Sequence, residues 1–405
     1  MPDSQGSSPS QSVTRLRLKK REERRVEAGH LWVFSNEIDT SSTPLKNIEP
    51  GSPAILESSS GKFLGHAYVN PASLICCRVV STDKTRAFNA TVLRERLRTA
   101  LEQRTGFYSE PYYRWVHGEG DFLPGLVIDR YGDTVIAQIT TAGMEAYRND
   151  IVDAIVKLSD AKHVCLRNDS AMRDLEGLTR YREWVVGDAP DALRIVENGL
   201  SFEVPTELGQ KTGWFYDHRD SRRNLRDWVK DKQVLDLYCY AGAFGLNAAA
   251  AGASDVLAID ASESAVAAAN ANAALNGLSN TFKAEQADVV EKLRQLFTES
   301  AQFDAIVLDP PAFIKRKKDR DAGLRHYALN NRLAMKLLRP GGLLLSASCS
   351  QALDLHALQQ AVRQGIPKAR QGIQILQTFQ QAPDHPVNVS MPESLYLKGI
   401  IARLV

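Results

Sequence analysis

Two short stretches carry side chains that could do covalent chemistry. In one, the apolar run LLLSASCSQ ends on Cys349, set between two serines. In the other, VLDPPAF, Asp309 closes an apolar run ahead of Pro310, Pro311 and Phe313. A thiolate can add to an electrophilic carbon, but a free thiol with a pKa of about 8.5 needs local help to ionise at neutral pH. A carboxylate can hold or move a proton beside it. Two prolines withdraw two N–H donors and fix a loop, and an aromatic ring such as Phe313 offers a face on which a planar base can stack. A cysteine in an apolar strand is ordinarily packing, so position must decide for Cys349.

A third stretch, LDLYCYAGAFGL, places Asp236 on an apolar run and Tyr238, Gly242, Phe244 and Gly245 in the turn and helix start that follow. Asp260, in AIDAS, closes the next apolar run. An acidic residue about 20 positions after a Gly-rich turn suits ribose hydroxyls. The turn lacks the G-x-G-x-x-G spacing that cradles a pyrophosphate, so an adenosine ligand without phosphates fits better. Asp288, after FKAEQA, could accept hydrogens from an adenine amino group. A helix-capping role for Asp260 stands beside the ribose reading.

These residues need a scaffold that collects strand ends. From about residue 201, short apolar runs (QVLDLYC, SDVLAIDA, FDAIVLDPP, GGLLLSASCS) alternate with helical stretches. That texture predicts a parallel sheet wound with helices on both faces, with useful side chains at the carboxyl ends of the strands. IQILQTF and SLYLKGIIARLV have no crossover helix between them, so the last strand should return antiparallel. The predicted fold class is α/β: a Rossmann-like domain at 201–405, preceded by a small β-barrel-like domain at 13–88 and a central α+β domain at 89–200. In the central domain YGD marks a hairpin, and KHVCLRND and LRIVENGLSFEV supply further strands. Residues 1–12 are expected to be a disordered tail.

Composition bounds the partners. The 405 residues carry 50 Lys+Arg against 48 Asp+Glu, a formal charge of +2. Affinity for a polyanion must therefore come from local clustering, and the run from Arg15 to Arg25 on the N-terminal domain is the expected cluster. Cys76, Cys77, Cys165, Cys239 and Cys349 show neither CxxC nor His-linked spacing. Reduced thiols and no metal are expected. No signal peptide or membrane-spanning stretch is read, so a soluble cytoplasmic protein is expected.

LDLYCYAGAFG, AIDAS, VLDPPAF and SASCS, in this order, resemble motifs I, II, IV and VI of a class I S-adenosylmethionine-dependent methyltransferase. AGHLWVFSNEI, GEGDFLPGLVIDRYG, LGQKTGWFYDHRDSR and DHPVNVSMPESLYLKG further resemble the bacterial 23S ribosomal RNA cytosine-C5 methyltransferases that carry an N-terminal PUA domain. The resemblance runs from about Thr14 to the C-terminus. It implies S-adenosylmethionine as cofactor, and 23S ribosomal RNA or an assembling large ribosomal subunit as partner. Thr212, Gly213, Phe215, Asp217 and Arg219 would line the cofactor pocket with Asp236, Tyr238, Gly242, Phe244, Asp260, Asp288 and Asp309. Pro310, Pro311 and Phe313 would face the target base. Ala312 departs from the family's lysine in this loop. Monomer and homodimer are both left open.

Cytosine C5 is a poor nucleophile, and its methylation requires a thiolate to add at C6. Cys349 would be that thiolate and Asp309 would hold or protonate N3, with the base drawn out of its stack. Glu393 and His385 are candidates for removing the C5 proton, each with a structural role as the competing reading. Cys239 and Cys165 read as packing. Three other functions compete: a uracil-C5 methyltransferase, an exocyclic amino methyltransferase in which Cys349 is incidental, and a non-catalytic RNA-binding protein or chaperone.

Overall fold

The computed structural model describes residues 13–206, 213–314, 316–368 and 372–405. The expected tail at 1–12 and Thr212 lie outside the described residues. No described helix is long and apolar enough to cross a membrane.

The N-terminal unit is a five-stranded sheet of β1 (Thr14–Arg17), β2 (Trp32–Val33), β3 (Ser52–Glu57), β4 (Phe63–Val69) and β5 (Cys77–Ser81), ordered β1-β3-β4-β5-β2. Most of its pairs are antiparallel, but β1 runs parallel to β3. Its core gathers Leu16, Leu18, Leu56, Val69 and Cys77, and also Met391 from the far end of the chain. The Leu31 N–H points at Met391 Sδ, 3.2 Å away.

The central sheet is β6 (Tyr112–His117), β7 (Leu126–Tyr131), β8 (Thr134–Ile139), β9 (His163–Asn168) and β10 (Tyr181–Val186), ordered β10-β9-β8-β7-β6. The YGD turn joins β7 to β8, with Gly132 at φ 66°. The two units are locked by polar contacts: Tyr68 Oη donates to the Pro124 carbonyl at 2.7 Å, and Glu176 accepts from Asn70 Nδ2 at 2.8 Å and pairs with Arg78 at 2.9 Å. Buried polar groups of this kind are tolerated because each finds a partner.

LRIVENGLSFEV, expected to complete the central unit, forms a separate hairpin, β11 (Ala192–Glu197) and β12 (Leu200–Pro205). Its Asn198-Gly199 turn has both φ positive, as a tight hairpin of right-twisted strands requires. The edge of β12 is covered by the helix Glu263–Leu275: Asn272 within it and Asn276, which caps its end, accept from the Glu203 and Ser201 N–H groups. Leu193, Ile195, Phe202 and Val204 on its inner face join the core below the C-terminal sheet. The same core takes in Tyr131, Ile136 and Cys165 of the central sheet, so the hairpin lies between the two units.

The C-terminal sheet contains β13 (Gln233–Leu237), β14 (Asp255–Asp260), β15 (Phe282–Gln286), β16 (Phe303–Leu308), β17 (Leu338–Ser348), β18 (Ile373–Gln380) and β19 (Lys398–Leu404), ordered β15-β14-β13-β16-β17-β19-β18. Strands β13 to β17 are parallel, and β19 returns antiparallel between β17 and β18, as the missing crossover requires. Alternate residues of one strand enter opposite cores. Val234, Val256, Ala305 and Val307 face one core, while Leu235, Ile259, Ile306 and Leu308 face the other. Period-two alternation between two buried faces accounts for the near-continuous apolar runs.

Candidate active site

Asp236, Asp260, Asp309 and Cys349 all stand at the carboxyl ends of parallel strands. The turn after β13 is conformationally unusual, with Tyr238, Tyr240 and Gly242 at φ 64°, 50° and 83°. Positive φ at two tyrosines is costly and persists only where the surroundings enforce it. Two carboxyl groups do so here, the buried Asp236 and the half-buried Asp260. Asp236 Oδ2 accepts from Gly245 N–H at 2.8 Å, and Asp260 Oδ2 accepts from Tyr240 N–H at 3.0 Å. A Cβ at Gly245 would lie 2.7 Å from the Phe282 ring and 3.1 Å from Asp236 Oδ2, so this helix turn approaches its strand only as glycine.

Asp236 Oδ1 is buried with no hydrogen-bond partner among the described residues. Burial pushes the carboxyl up to about 7, with the Gly245 N–H opposing and Asp309 and Asp260 adding to the rise. Asp260 uses each oxygen once, toward Tyr240 N–H and toward Ser262 N–H at 2.9 Å, which leaves lone pairs for hydroxyl donors. The cap of the following helix is Ser262, so the capping reading of Asp260 is not what the fold uses. Asp288 does cap a helix, Val289–Thr298, by accepting from Glu291 N–H at 3.0 Å. Tyr238 Oη donates to Asn330 Oδ1 at 2.8 Å.

The segment before β13 closes one side. Tyr240 Oη donates to the Gly213 carbonyl at 2.9 Å, and the Phe215 ring stands edge-on to Tyr240 at 5.4 Å. Asp217 and Arg219 turn away from the Gly-rich turn. Asp217 Oδ2 accepts from Tyr396 Oη at 2.6 Å, and the Arg219 guanidinium lies 4.1 Å from the Tyr108 ring centroid and donates to the Tyr112 carbonyl. Both brace the segment against neighbouring elements. Between them His218, unremarked in the sequence, places Nε2 3.2 Å from Asp309 Oδ1 and contacts the Phe244 ring at 5.3 Å.

Cys349 is half-buried, whereas Cys76, Cys77, Cys165 and Cys239 are buried. Burial pushes the Cys239 thiol well above its ordinary value, with Asp236 and Asp260 adding to the rise, which keeps it protonated beside the turn. The serines flanking Cys349 are buried and tied to one phenol: Ser348 Oγ donates to Tyr327 Oη at 2.8 Å, and Tyr327 Oη meets Ser350 Oγ at 2.9 Å. Ser350 Oγ also accepts from Ile314 N–H at 3.2 Å. The proline loop and the cysteine loop are thereby one unit. Pro310 is buried, Pro311 exposed, and Ala312 and Phe313 half-buried. Phe313 packs edge-on to Tyr327 at 4.9 Å and against His326 at 5.5 Å, which commits part of the ring expected to stack on a base.

A second missed residue is Lys398, at the start of β19 opposite Ser348. Its Nζ donates to the Ser350 and Leu353 carbonyls, each at 2.6 Å. Burial brings its ammonium down to about 8, with Cys349 and Asp354 opposing. His385 and Glu393 lie in the seam between units. His385 Nδ1 is 2.9 Å from Asp384 Oδ1 with its ring near His117, and Glu393 faces His30 at 3.4 Å.

Residues 157–388 match the family described as S-adenosylmethionine-dependent methyltransferase, and residues 16–82 match the PUA-like domain. The chain is 36% identical over 400 residues to the ribosomal RNA large subunit methyltransferase I of Shewanella denitrificans, covering 96% of this chain and 99% of the relative. The protein of that name from Klebsiella pneumoniae is also 36% identical over 400 residues, with 96% and 98% covered. A structure described as a SAM-dependent methyltransferase from Streptococcus mutans shares the fold at a TM-score of 0.82 and 24% identity, covering 96% of this chain and all of that one.

Proposed function

The chain belongs to the S-adenosylmethionine-dependent methyltransferases, and from that premise we propose that it methylates C5 of a cytosine in 23S ribosomal RNA through addition of Cys349 to C6. S-adenosylmethionine supplies the electrophilic methyl carbon. Asp236, with an unpartnered buried oxygen, and Asp260, with lone pairs to spare, suit its amino and ribose hydroxyl donors, beside the turn that carries Gly242 and Gly245. Tyr238, Gly242, Phe244 and Asp288 border that place, with Gly213 and Phe215 across it.

In this reading Cys349 forms a carbon–sulfur bond at C6, and electron density moves toward N3, where the Asp309 carboxyl supplies or shares a proton. C5 then takes the methyl group. Loss of the C5 proton and expulsion of the thiolate restore the ring. Pro310, Pro311 and Phe313 shape the wall beside the base. The partition proposed is an RNA-binding PUA unit at 13–88, a central unit from 89 and a methyltransferase unit to 405, the boundary near residue 200 falling within the β11–β12 hairpin that joins them. Naked RNA and an assembling subunit are both substrates to be compared.

The observation that carries the reading is the half-buried Cys349 between two buried serines that Tyr327 and Lys398 hold, at the end of the strand paired with the one that Asp309 follows. A packing cysteine requires no such clamp. The test is RNA carrying 5-fluorocytosine at the target: fluorine cannot leave as a proton, so a methylated adduct should survive denaturation, require S-adenosylmethionine and vanish in Cys349→Ala. Adduct formation at 5-fluorouracil alone would favour the uracil enzyme. A folded Cys349→Ala protein with undiminished turnover would favour amino methylation, in which nitrogen attacks directly.

A further inference from the structure

An RNA that reaches Cys349 brings phosphates, and these require cations that the fold does not itself use. The run from Arg15 to Arg25 is partly committed: Arg15 and Arg17 face Glu57, Arg25 faces Glu37 at 2.8 Å, and Lys19 Nζ donates to the Asn36 carbonyl at 2.8 Å. A second basic stretch follows the proline loop. Residues 315–326 read KRKKDRDAGLRH, with six lysines and arginines against two aspartates in a chain whose formal charge is +2. Arg316 pairs with Asp319 at 3.1 Å. Lys318, Arg320 and Arg325 are exposed, and no carboxylate among the described residues pairs with them.

Their position is fixed by the site. Ile314 N–H bonds Ser350 Oγ, the residue after Cys349, at 3.2 Å, and the Phe313 ring packs on His326, the residue after Arg325, at 5.5 Å. A Cβ at Gly323 would fall 2.3 Å from Ile314 Cγ1 and 3.0 Å from the Phe313 carbonyl, so the helix Arg320–Lys336 lies directly on the loop. Helix stability does not explain these charges, because cations beside a helix N-terminus oppose its dipole.

We propose that Lys318, Arg320 and Arg325 form a phosphate clamp that holds the RNA strand flanking the target nucleotide at the mouth of the Cys349 site. The proposal rests on the RNA methyltransferase reading above and gives it a second contact surface, separate from the N-terminal unit. The clamp acts through charge, so it sets affinity and salt dependence rather than base choice.

The test uses the full-length Lys318→Gln, Arg320→Gln, Arg325→Gln variant and a 23S ribosomal RNA fragment, with binding measured across a salt series. Each lost phosphate contact lowers the slope of log affinity against log salt by about 0.7 to 0.9, so the triple variant should lose about 2 to 3. Calorimetric affinity for S-adenosylmethionine should stay at the wild-type value. The charge-retaining Lys318→Arg, Arg320→Lys, Arg325→Lys variant should restore the slope. An unchanged slope in the glutamine variant overturns the clamp, as does a slope that falls together with cofactor affinity and is not restored. Nucleoside analysis of wild-type product tests the cytosine reading by itself, so a different methylated base would leave the clamp standing.

Discussion

His218 Nε2 lies 3.2 Å from Asp309 Oδ1, so the carboxylate after β16 is held from the segment that leads into β13. The other ring nitrogen, Nδ1, is 3.0 Å from Ser221 Oγ. Ser221 Oγ in turn donates to the His218 carbonyl at 3.1 Å, so the ring is tethered at both nitrogens and holds one Asp309 oxygen in place.

Replacing His218 by glutamine should therefore slow methyl transfer while sparing affinity for RNA. A hydrogen bond to a charged group contributes about 1.5 to 3 kcal/mol, or roughly tenfold to a hundredfold in rate. Single-turnover labelling at saturating RNA measures it. An unchanged rate would remove His218 from any role in aiming Asp309.

Asp260→Ala should weaken S-adenosylmethionine binding by about tenfold to a hundredfold, the equivalent of losing charged contacts to hydroxyl groups. Since Asp260 also accepts from Tyr240 and Ser262 N–H, part of this loss comes from relaxation of the turn. Asp260→Asn, which retains one acceptor, should fall between wild type and alanine in calorimetry. Wild-type affinity in both variants would refute the assignment.

Lys398 loses its charge as pH rises through about 8. A cation near a thiol favours the thiolate. Lys398→Met should slow alkylation of Cys349 at neutral pH by about tenfold, equivalent to one unit of thiol pKa. Lys398→Arg should preserve reactivity and maintain its electrostatic support above the lysine's pKa. Equal alkylation rates in all three proteins would confine Lys398 to its carbonyl contacts.

Asp236 links pH to stability. Burial lifts its folded value to about 7, above the ordinary carboxylate value of 3.8, so the bound proton stabilises the fold at low pH, and that contribution is lost as pH rises from there through about 7. Over about three units at ~1.4 kcal/mol each, Asp236→Asn should gain up to ~4 kcal/mol relative to wild type at alkaline pH. Urea unfolding of both proteins near the ordinary carboxylate value and again above the folded value of about 7 reads the difference, which a pH-independent gap would exclude.

The placement of Asp236, Asp260, Asp309 and Cys349 at strand ends was legible because each follows its own apolar run, and parallel strands bring their carboxyl ends together. The antiparallel return of β19 was equally local, a matter of a missing helix. Other features were not legible, because they depend on residues distant in sequence. Lys398 reaches carbonyls 48 and 45 positions earlier, and Tyr327 bonds serines 21 and 23 positions later. The charge of the Arg15–Arg25 run looked free until Glu37 and Glu57 were seen against it. The two strands of the β11–β12 hairpin are readable from alternation, but the two units they join are not, since alternation reveals an apolar face without naming what covers it.

The insertion of Met391 into the N-terminal core has a consequence for how the chain is made. Leu31 and Met391 are 360 positions apart, and at roughly 5 to 20 residues per second the ribosome needs about 20 to 70 s to travel between them. Until Met391 is made and emerges, the first domain lacks a side chain that its finished core contains. Nascent chains halted before Met391 should hold this domain in a protease-sensitive form, and completion of the sequence should close it. The order of synthesis thus runs opposite to the order of assembly: the first domain to emerge is among the last to be finished.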